Sequence, residues 1–559
     1  MNKIFHPKLF KTITKEYWRT QFTKDLMAGV IVGIVALPLA IAFGIASGVS
    51  PQQGLITAFI AGFIISFLGG SHVQIGGPTG AFIIIVYGIV SQYGMSGLII
   101  ATVLAGVMLI IMGLLRLGNV IKFIPYPIIV GFTSGIAVVI FSSQVKDFLG
   151  LQVSGVPSEF IDKWAFYFQN IHTLNWWALS IGVATVLIII FWSKVTKRIP
   201  GSLVAIVVLT VAALLLKHFL NIEMETIGSR FPELAGGSPL PKPETPKIDM
   251  AAIKMLIQPA FTIAMLGAIE SLLSAMVADG ATGKKHHSNT ELIAQGVANV
   301  TVPFFGGIPA TGAIARTMTN INNGGRTPVA GIVHAVFLFL IYLFLMPLAV
   351  HIPMACLGGV LVMVAYNMSE WRTFKALLRN PRADVAVLLT TFFLTVIFDL
   401  TIAIEIGLLM AILLFLKRVT ETSGISVLDM EIKNSENEEN TDAEVLDVPK
   451  GVEVYEINGP FFFGIANTFD EFDDAKKKIS VRIIRMRKVP FIDSTGIHNL
   501  RNLWKRSKKE KIQVVLSGVT PAVFETLKKA GFTEEIGEEF VCSHISIALE
   551  KARELVISG

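Results

Sequence analysis

The chain has 559 residues, 53% of them hydrophobic and only 16% charged, with a mean hydropathy of +0.64. That balance excludes an ordinary water-soluble enzyme. The formal net charge of +6 does not point to nucleic acid, because Lys and Arg sit mostly in short clusters between apolar runs, as in the loops of a membrane protein.

In chain order, residues 1–25 form a basic tail with scattered aromatics. The apolar run after it is too long for a signal peptide and lacks a small-residue cleavage pattern, so an uncleaved cytoplasmic tail is expected. From Leu26 to Leu115 there is no Asp, Glu, Lys or Arg, where a soluble chain would carry about twenty. Such a run belongs in lipid. A span takes roughly twenty apolar residues, and residues 26–418, cut at charges, Pro and Gly, divide into about thirteen or fourteen segments by that measure. Cations cluster at alternate connections, in the tail and at residues 116–122, 194–198, 284–285, 372–382 and 417–418. The positive-inside rule makes those connections cytoplasmic. Both ends then lie inside, which requires an even count, and about fourteen spans fit.

Residues 419–450 turn acidic and polar and read as a linker. Residues 451–559 follow a soluble pattern, with strands expected at 452–458, 481–486 and 512–517 and helices at 467–477, 495–508, 521–530 and 544–555. That alternation predicts a small α/β domain. Cys356 and Cys542 offer neither a disulfide framework nor a metal cluster, and no metal site is expected.

Two interruptions of the apolar region match each other. In the first half Phe67-Leu68-Gly69-Gly70 leads through Gly76-Gly77-Pro78 to Thr79-Gly80-Ala81; in the second Phe304-Phe305-Gly306-Gly307 leads through Pro309 to Thr311-Gly312-Ala313. Gly and Pro inside a span free backbone groups that lipid cannot satisfy, so such breaks are tolerated only where they are buried in protein or line a cavity. A segment that resumes as a half-helix presents unpaired N–H groups and the positive end of its dipole near mid-membrane. Two such ends facing each other make an anion site. Their position in opposite halves, with an odd number of spans between them, predicts an inverted-topology repeat, the architecture of secondary transporters.

Several motifs carry a family resemblance: Ala36-Leu37-Pro38 with Ala42-Phe43, Gly77-Pro78-Thr79-Gly80, Glu270 with Ala278-Asp279, Asn299, the stretch from Gly312 to Thr317, and that from Asn322 to Thr327. Through them the chain resembles the sulfate permease (SulP) family of anion transporters over nearly its whole length. The C-terminal piece looks like the STAS domain that these transporters share with bacterial anti-sigma-factor antagonists. The resemblance implies an α-helical membrane protein of seven plus seven spans, with a core domain moving elevator-like against a gate domain, a small cytoplasmic STAS domain and a homodimer in the bacterial inner membrane. It places the anion between the third and tenth spans, here against Thr79, Gly80 and Ala81 and against Gly312, Ala313, Ile314 and Ala315, with Phe43 as an apolar wall. Arg316 corresponds to the basic residue many relatives carry there.

Glu270 is the sole charge between Ala260 and Ala278, and an ionisable residue so placed is a functional candidate by default. Importing a dianion against an inside-negative potential costs about 2.3 kcal/mol per charge per 100 mV, roughly 5 kcal/mol for sulfate. A positive charge entering with it removes much of that cost. A carboxyl held between apolar surroundings that favour its neutral form and a cation that favours its charged form can exchange a proton as the cavity opens to either side. The resemblance implies proton coupling where this residue is Glu and sodium-dependent bicarbonate uptake where it is Asp with hydroxyl neighbours. Ser271 and Ser274 offer such hydroxyls, so H+ leads and Na+ is the alternative. Asp279 and the His286-His287 pair read as solvated loop residues, and Glu405 as a packing residue.

In the C-terminal domain, Ile492-Asp493-Ser494-Thr495-Gly496 follows a strand and opens a helix. Ser494 matches the serine phosphorylated in the anti-sigma antagonists; helix capping by Asp493 or Ser494 is the simpler reading. No nucleophile with a paired base and no metal ligand set is present, so no enzyme and no cofactor are expected, and the domain suits regulation or assembly through a partner protein. The sequence thus predicts a secondary transporter of sulfate or bicarbonate driven by proton symport. Sodium-linked bicarbonate uptake is the alternative; a membrane-anchored STAS signalling protein is disfavoured by the duplicated breaks and Glu270, and a nucleobase permease by the STAS domain and Arg316.

Overall fold

The computed structural model describes residues 5–13, 15–119, 125–153, 155–157, 159–196, 199–232, 234, 250–398, 400–428, 431–433, 445–464 and 479–558. The chain divides into two compact units, Met1–Ala411 and Ile412–Gly559. The first is a bundle of helices around an apolar core. Among the described residues, Phe22–Ala46, Pro51–Leu68, Gly80–Leu114, Tyr126–Leu149, Gly201–Leu220 and Met250–Thr282 are long and apolar enough to cross a membrane. Further helices include Trp176–Val195, Ser288–Thr301, Ile314–Asn322, Val329–Ala349, Met354–Met368 and Arg382–Ile397.

Local chemistry sets several boundaries. Pro51 opens its helix behind a capping box in which Ser50 N donates to Gln53 Oε1 at 2.9 Å. Asn175 caps Trp176–Val195, its side chain accepting from Trp177 N and Ala178 N. The helix Tyr126–Leu149 stops at Gly150, whose φ of 61° is left-handed. The long element Ile83–Leu114 is broken at Gly94, with φ 67° and ψ −172°. Only glycine adopts that conformation without strain. The segment before the break is thus a half-helix of about 16 Å, half the hydrocarbon thickness. The helix Ile314–Asn322 has 9 residues, about 14 Å by the same rise.

The two halves interlock. Phe22–Ala46 and Pro51–Leu68 pack on Val329–Ala349, and Met250–Thr282 and Ser288–Thr301 pack on Ile83–Leu114. In each half, the pair of helices before a break packs on the element that carries the full-length span beyond the other break's half-helix. That reciprocity is the packing expected of the inverted repeat.

The described N-terminal segment is docked on the bundle. Lys8 N donates to Gly69 O at 3.0 Å, Leu9 is 4% exposed, and the Phe10 ring meets Phe67 edge-on at 5.7 Å.

The second unit holds a five-stranded sheet. Gly424–Leu428 pairs antiparallel with Val452–Asn458, and Val481–Arg485, Gln513–Ser517 and Val541–Cys542 follow in parallel. The edge strand Gly424–Leu428 lies in the stretch that composition assigns to a linker; Ile425, Tyr455 and Ile457 share one apolar core, so the domain begins earlier than its acidic neighbours suggest. Three of the expected helices appear as Ser494–Lys509, Pro521–Lys529 and Ile545–Ser558. The helix expected at 467–477 lies outside the described residues. Cys356 and Cys542 are both buried and unbridged.

Candidate functional site

The two breaks meet. Gly76–Gly77 and Thr311–Gly312 pair antiparallel, Gly76 opposite Gly312 and Gly77 opposite Thr311. Ala313 N donates to Ile75 O at 2.9 Å, extending the ladder. Each break thus satisfies backbone groups freed by the other, which is what permits non-helical chain at this depth. Side chains brace the pair from behind. Ile75 N donates to Thr317 Oγ1 at 3.1 Å, Asn320 Nδ2 to Val73 O at 2.8 Å, and Gln74 Nε2 to Ser271 O at 3.1 Å. Asn299 clasps the second break, donating to Ala310 O and accepting from Ala310 N at 2.8 and 2.9 Å.

From this brace the half-helices start. The first turns at Gly80–Phe82 behind Thr79, and the second at Ile314 behind Ala313. Their opening N–H groups have no acceptor within their own helices. Both starts face a cavity of about 420 Å³. Phe43, Thr79, Gly80, Gly312, Ala313, Ile314, Ala315, Arg316 and Glu270 all line it, so the structure gathers nine sequence-predicted residues from four separate segments. Ala81 does not reach the cavity; it is fully buried one residue behind Gly80, its methyl packed in the core. Ser274 also points elsewhere, donating to Thr317 Oγ1 at 3.2 Å. Ser494 belongs to the other unit, where it is exposed at the start of its helix, and Asp493 is the cap, accepting from Gly496 N at 2.7 Å.

Polar chemistry in the cavity centres on two charged groups. Glu270 Oε2 accepts from Thr79 Oγ1 at 2.9 Å, tying the carboxylate to the first break. Arg316, 3% exposed, crosses from the second half-helix to the first break, where Nη1 donates to Gly76 O at 3.4 Å and Nη2 to Pro78 O. A Cβ on Gly77, which has φ 145°, would fall 2.4 Å from Arg316 Nη1. Glycine is required there so that the guanidinium can reach the carbonyls. No carboxylate among the described residues lies within ion-pair distance of Arg316. Its charge adds to the half-helix dipoles, with the Glu270 carboxyl lining the same cavity as the opposing charge.

Other expectations need correction. His286 is not a solvated loop residue: its side chain is 7% exposed and Nδ1 lies 2.7 Å from Asp279 Oδ2, so Asp279 is paired as well. Glu405 is exposed rather than packed. Glu291, absent from the sequence-derived candidates, is fully buried and accepts from Gly70 N and Ser71 N at 2.8 and 3.1 Å, fixing the approach to the first break. Its one visible signal is its place in the first turn of a helix, where acids are common on exposed surfaces. No group of His, Cys, Asp and Glu suited to a metal ion occurs among the described residues.

Residues 22–391 match the sulfate permease family, and residues 445–552 match the STAS domain. The chain belongs to the sulfate permease family. It is 42% identical to YvdB of Bacillus subtilis, a sulfate transporter candidate, over 95% of this chain and 98% of that protein. It is 31% identical to the bicarbonate transporter BicA of Picosynechococcus, over 90% of each chain. Among solved structures, the murine anion transporter Slc26a9 in its inward-facing state superposes with a TM-score of 0.85 at 19% identity, covering 98% of this chain and 93% of that one. This last likeness concerns the fold. The sulfate permease chain is therefore a multi-pass membrane transporter with a C-terminal STAS domain, and not an enzyme.

Proposed function

We propose that this chain is a secondary active transporter of an inorganic oxyanion of the sulfate or bicarbonate class, working in the bacterial plasma membrane by proton symport. The observation that carries the reading is the contact of Glu270 with Thr79 in the cavity where both half-helices begin. A carboxyl there feels the anion, Arg316 and two helix dipoles at once, so its proton and the anion favour each other's presence. The sodium alternative draws less support, because the hydroxyls it needs are engaged: Ser271 Oγ lies 2.6 Å from Thr311 Oγ1, and Ser274 bonds Thr317.

Substrate choice rests on the anion-binding design and on the names of the relatives, YvdB for sulfate and BicA for bicarbonate. Ser202 and Glu370 line the cavity at helix ends that the charge pattern assigns to the cytoplasm, and Thr133 lines it from two turns inside a helix that starts on the same side. This supports a state open to the inside, with the brace and half-helices moving as one core body past the helices around Thr133 and Val360. Uptake of labelled sulfate and bicarbonate into proteoliposomes under an imposed proton or sodium gradient tests the reading. Glu270→Gln is expected to abolish accumulation driven by a proton gradient while leaving anion exchange measurable. If that variant still accumulates substrate on the proton gradient, the coupling assignment fails.

A further inference from the structure

We propose that the cations collected where the N-terminal segment crosses the loops at 69–72 and 283–287 and the start of the helix Ser288–Thr301 form a binding site for a phosphoryl oxyanion, supplied by an anionic lipid headgroup. The segment is held there by backbone bonds: Lys8 N donates to Gly69 O and His6 N to Thr290 Oγ1, both at 3.0 Å. These bonds bring His6, Lys8 and Lys11 beside Lys284 and His287, with the rings of His6 and His287 5.8 Å apart. Lys8 is 9% exposed, yet no hydrogen bond or ion pair to its ammonium occurs among the described residues.

The neighbouring acids are already committed. Asp279 pairs with His286 at 2.7 Å, and Glu291 accepts from Gly70 N, Ser71 N and Gln295 Nε2. Burial and then Lys11 hold the Lys8 ammonium below the ordinary lysine value, with Asp279 opposing. Burial, Lys8, His6, Lys11 and His286 act likewise on His287. Like charges brought together and partly desolvated repel unless an anion joins them. A phosphoryl group, with several oxygens able to accept from several cations, meets that need.

A lipid is the favoured source because of what flanks the cluster. Phe5, Phe10, Ile13 and Trp18 are exposed on the same short stretch as Lys11 and Arg19. Aromatic and apolar groups interleaved with cations are the composition of a segment lying at a membrane interface. A headgroup bound here would fasten the segment, and through Gly69 the approach to the first break, to the bilayer surface.

The test uses the full-length protein purified in neutral detergent, titrated with short-chain phosphatidylglycerol, short-chain phosphatidylcholine and inorganic phosphate. Phosphatidylglycerol is expected to bind and phosphatidylcholine not. Lys11→Gln combined with Lys284→Gln, both at exposed positions, should weaken phosphatidylglycerol binding by roughly ten-fold or more. Lys8→Gln should do the same, and if it fails to fold the exposed pair decides alone. Phosphate binding with the same dependence on Lys11 and Lys284, and no advantage for the lipid, would support the oxyanion site with a soluble ligand. Equal binding of phosphatidylglycerol by the double variant and the wild type, or no binding of either anionic probe above phosphatidylcholine, overturns the proposal.

Discussion

The guanidinium of Arg316 reaches from its own half-helix to the carbonyls of Gly76 and Pro78, so the charge proposed to attract an anion also holds the opposing break in place. Arg316→Gln removes both functions. A bond to a charged group is worth about 1.5–3 kcal/mol, so the apparent affinity for the anion should fall roughly ten- to hundred-fold, read from the concentration dependence of uptake. Arg316→Lys keeps the charge but a single ammonium cannot span both carbonyls, and an intermediate loss is expected. A wild-type concentration dependence in Arg316→Gln would remove this residue from the site. At this scale the sequence was informative where a residue contradicts its surroundings. Glu270 stands alone in an apolar run and Arg316 follows a glycine break, and both line the cavity. Glu291 follows Ser288, Asn289 and Thr290 and reads as a solvated first-turn acid; its burial comes from a loop more than two hundred residues away, which no local pattern announces.

Among the elements, the break at Gly94 separates a half-helix from a full span with no loop between them. Its φ of 67° with ψ −172° is closed to residues with a Cβ, although nothing lies within 4 Å of the position a Cβ would take. The cost of Gly94→Ala is therefore conformational, of order 1–3 kcal/mol, and appears as a lower melting temperature in detergent and as slower uptake. Gly88 provides the control. It lies in the same half-helix with equally open surroundings, and there Gly88→Ala should be neutral or stabilising by up to about 1 kcal/mol. Equal melting temperatures for the two variants would show that the break is not held by its glycine. Hydropathy shows the apolar run around Gly94 but not the turn within it, because the run has no charge or proline to mark the boundary. The edge strand Gly424–Leu428 escaped notice for a related reason: its partner in the sheet is about thirty residues on, beyond the acidic stretch that dominates the composition.

For the molecule as a whole, the echo of Gly, Pro and Thr across the two breaks was legible because backbone freed inside lipid must be rescued, and few residue types allow it. What the echo does not specify is the exchange of partners between halves. The helices preceding each break lie on Val329–Ala349 or Ile83–Leu114 of the other half, and the brace itself joins Gly76–Gly77 to Thr311–Gly312. These are pairings between distant parts of the chain, which periodicity within one segment cannot encode. They also mean that neither half contains a complete core or site: Thr79 without Glu270 lacks its acceptor, and Gly76 and Pro78 without Arg316 lack their donor. Dividing the chain between Leu234 and Met250 should therefore give two fragments that show only background uptake when expressed singly. Expressed together they should copurify and recover transport, since the covalent connection contributes an effective concentration rather than a contact. Uptake by either fragment alone would contradict the interlocked arrangement and, with it, a site assembled from both breaks.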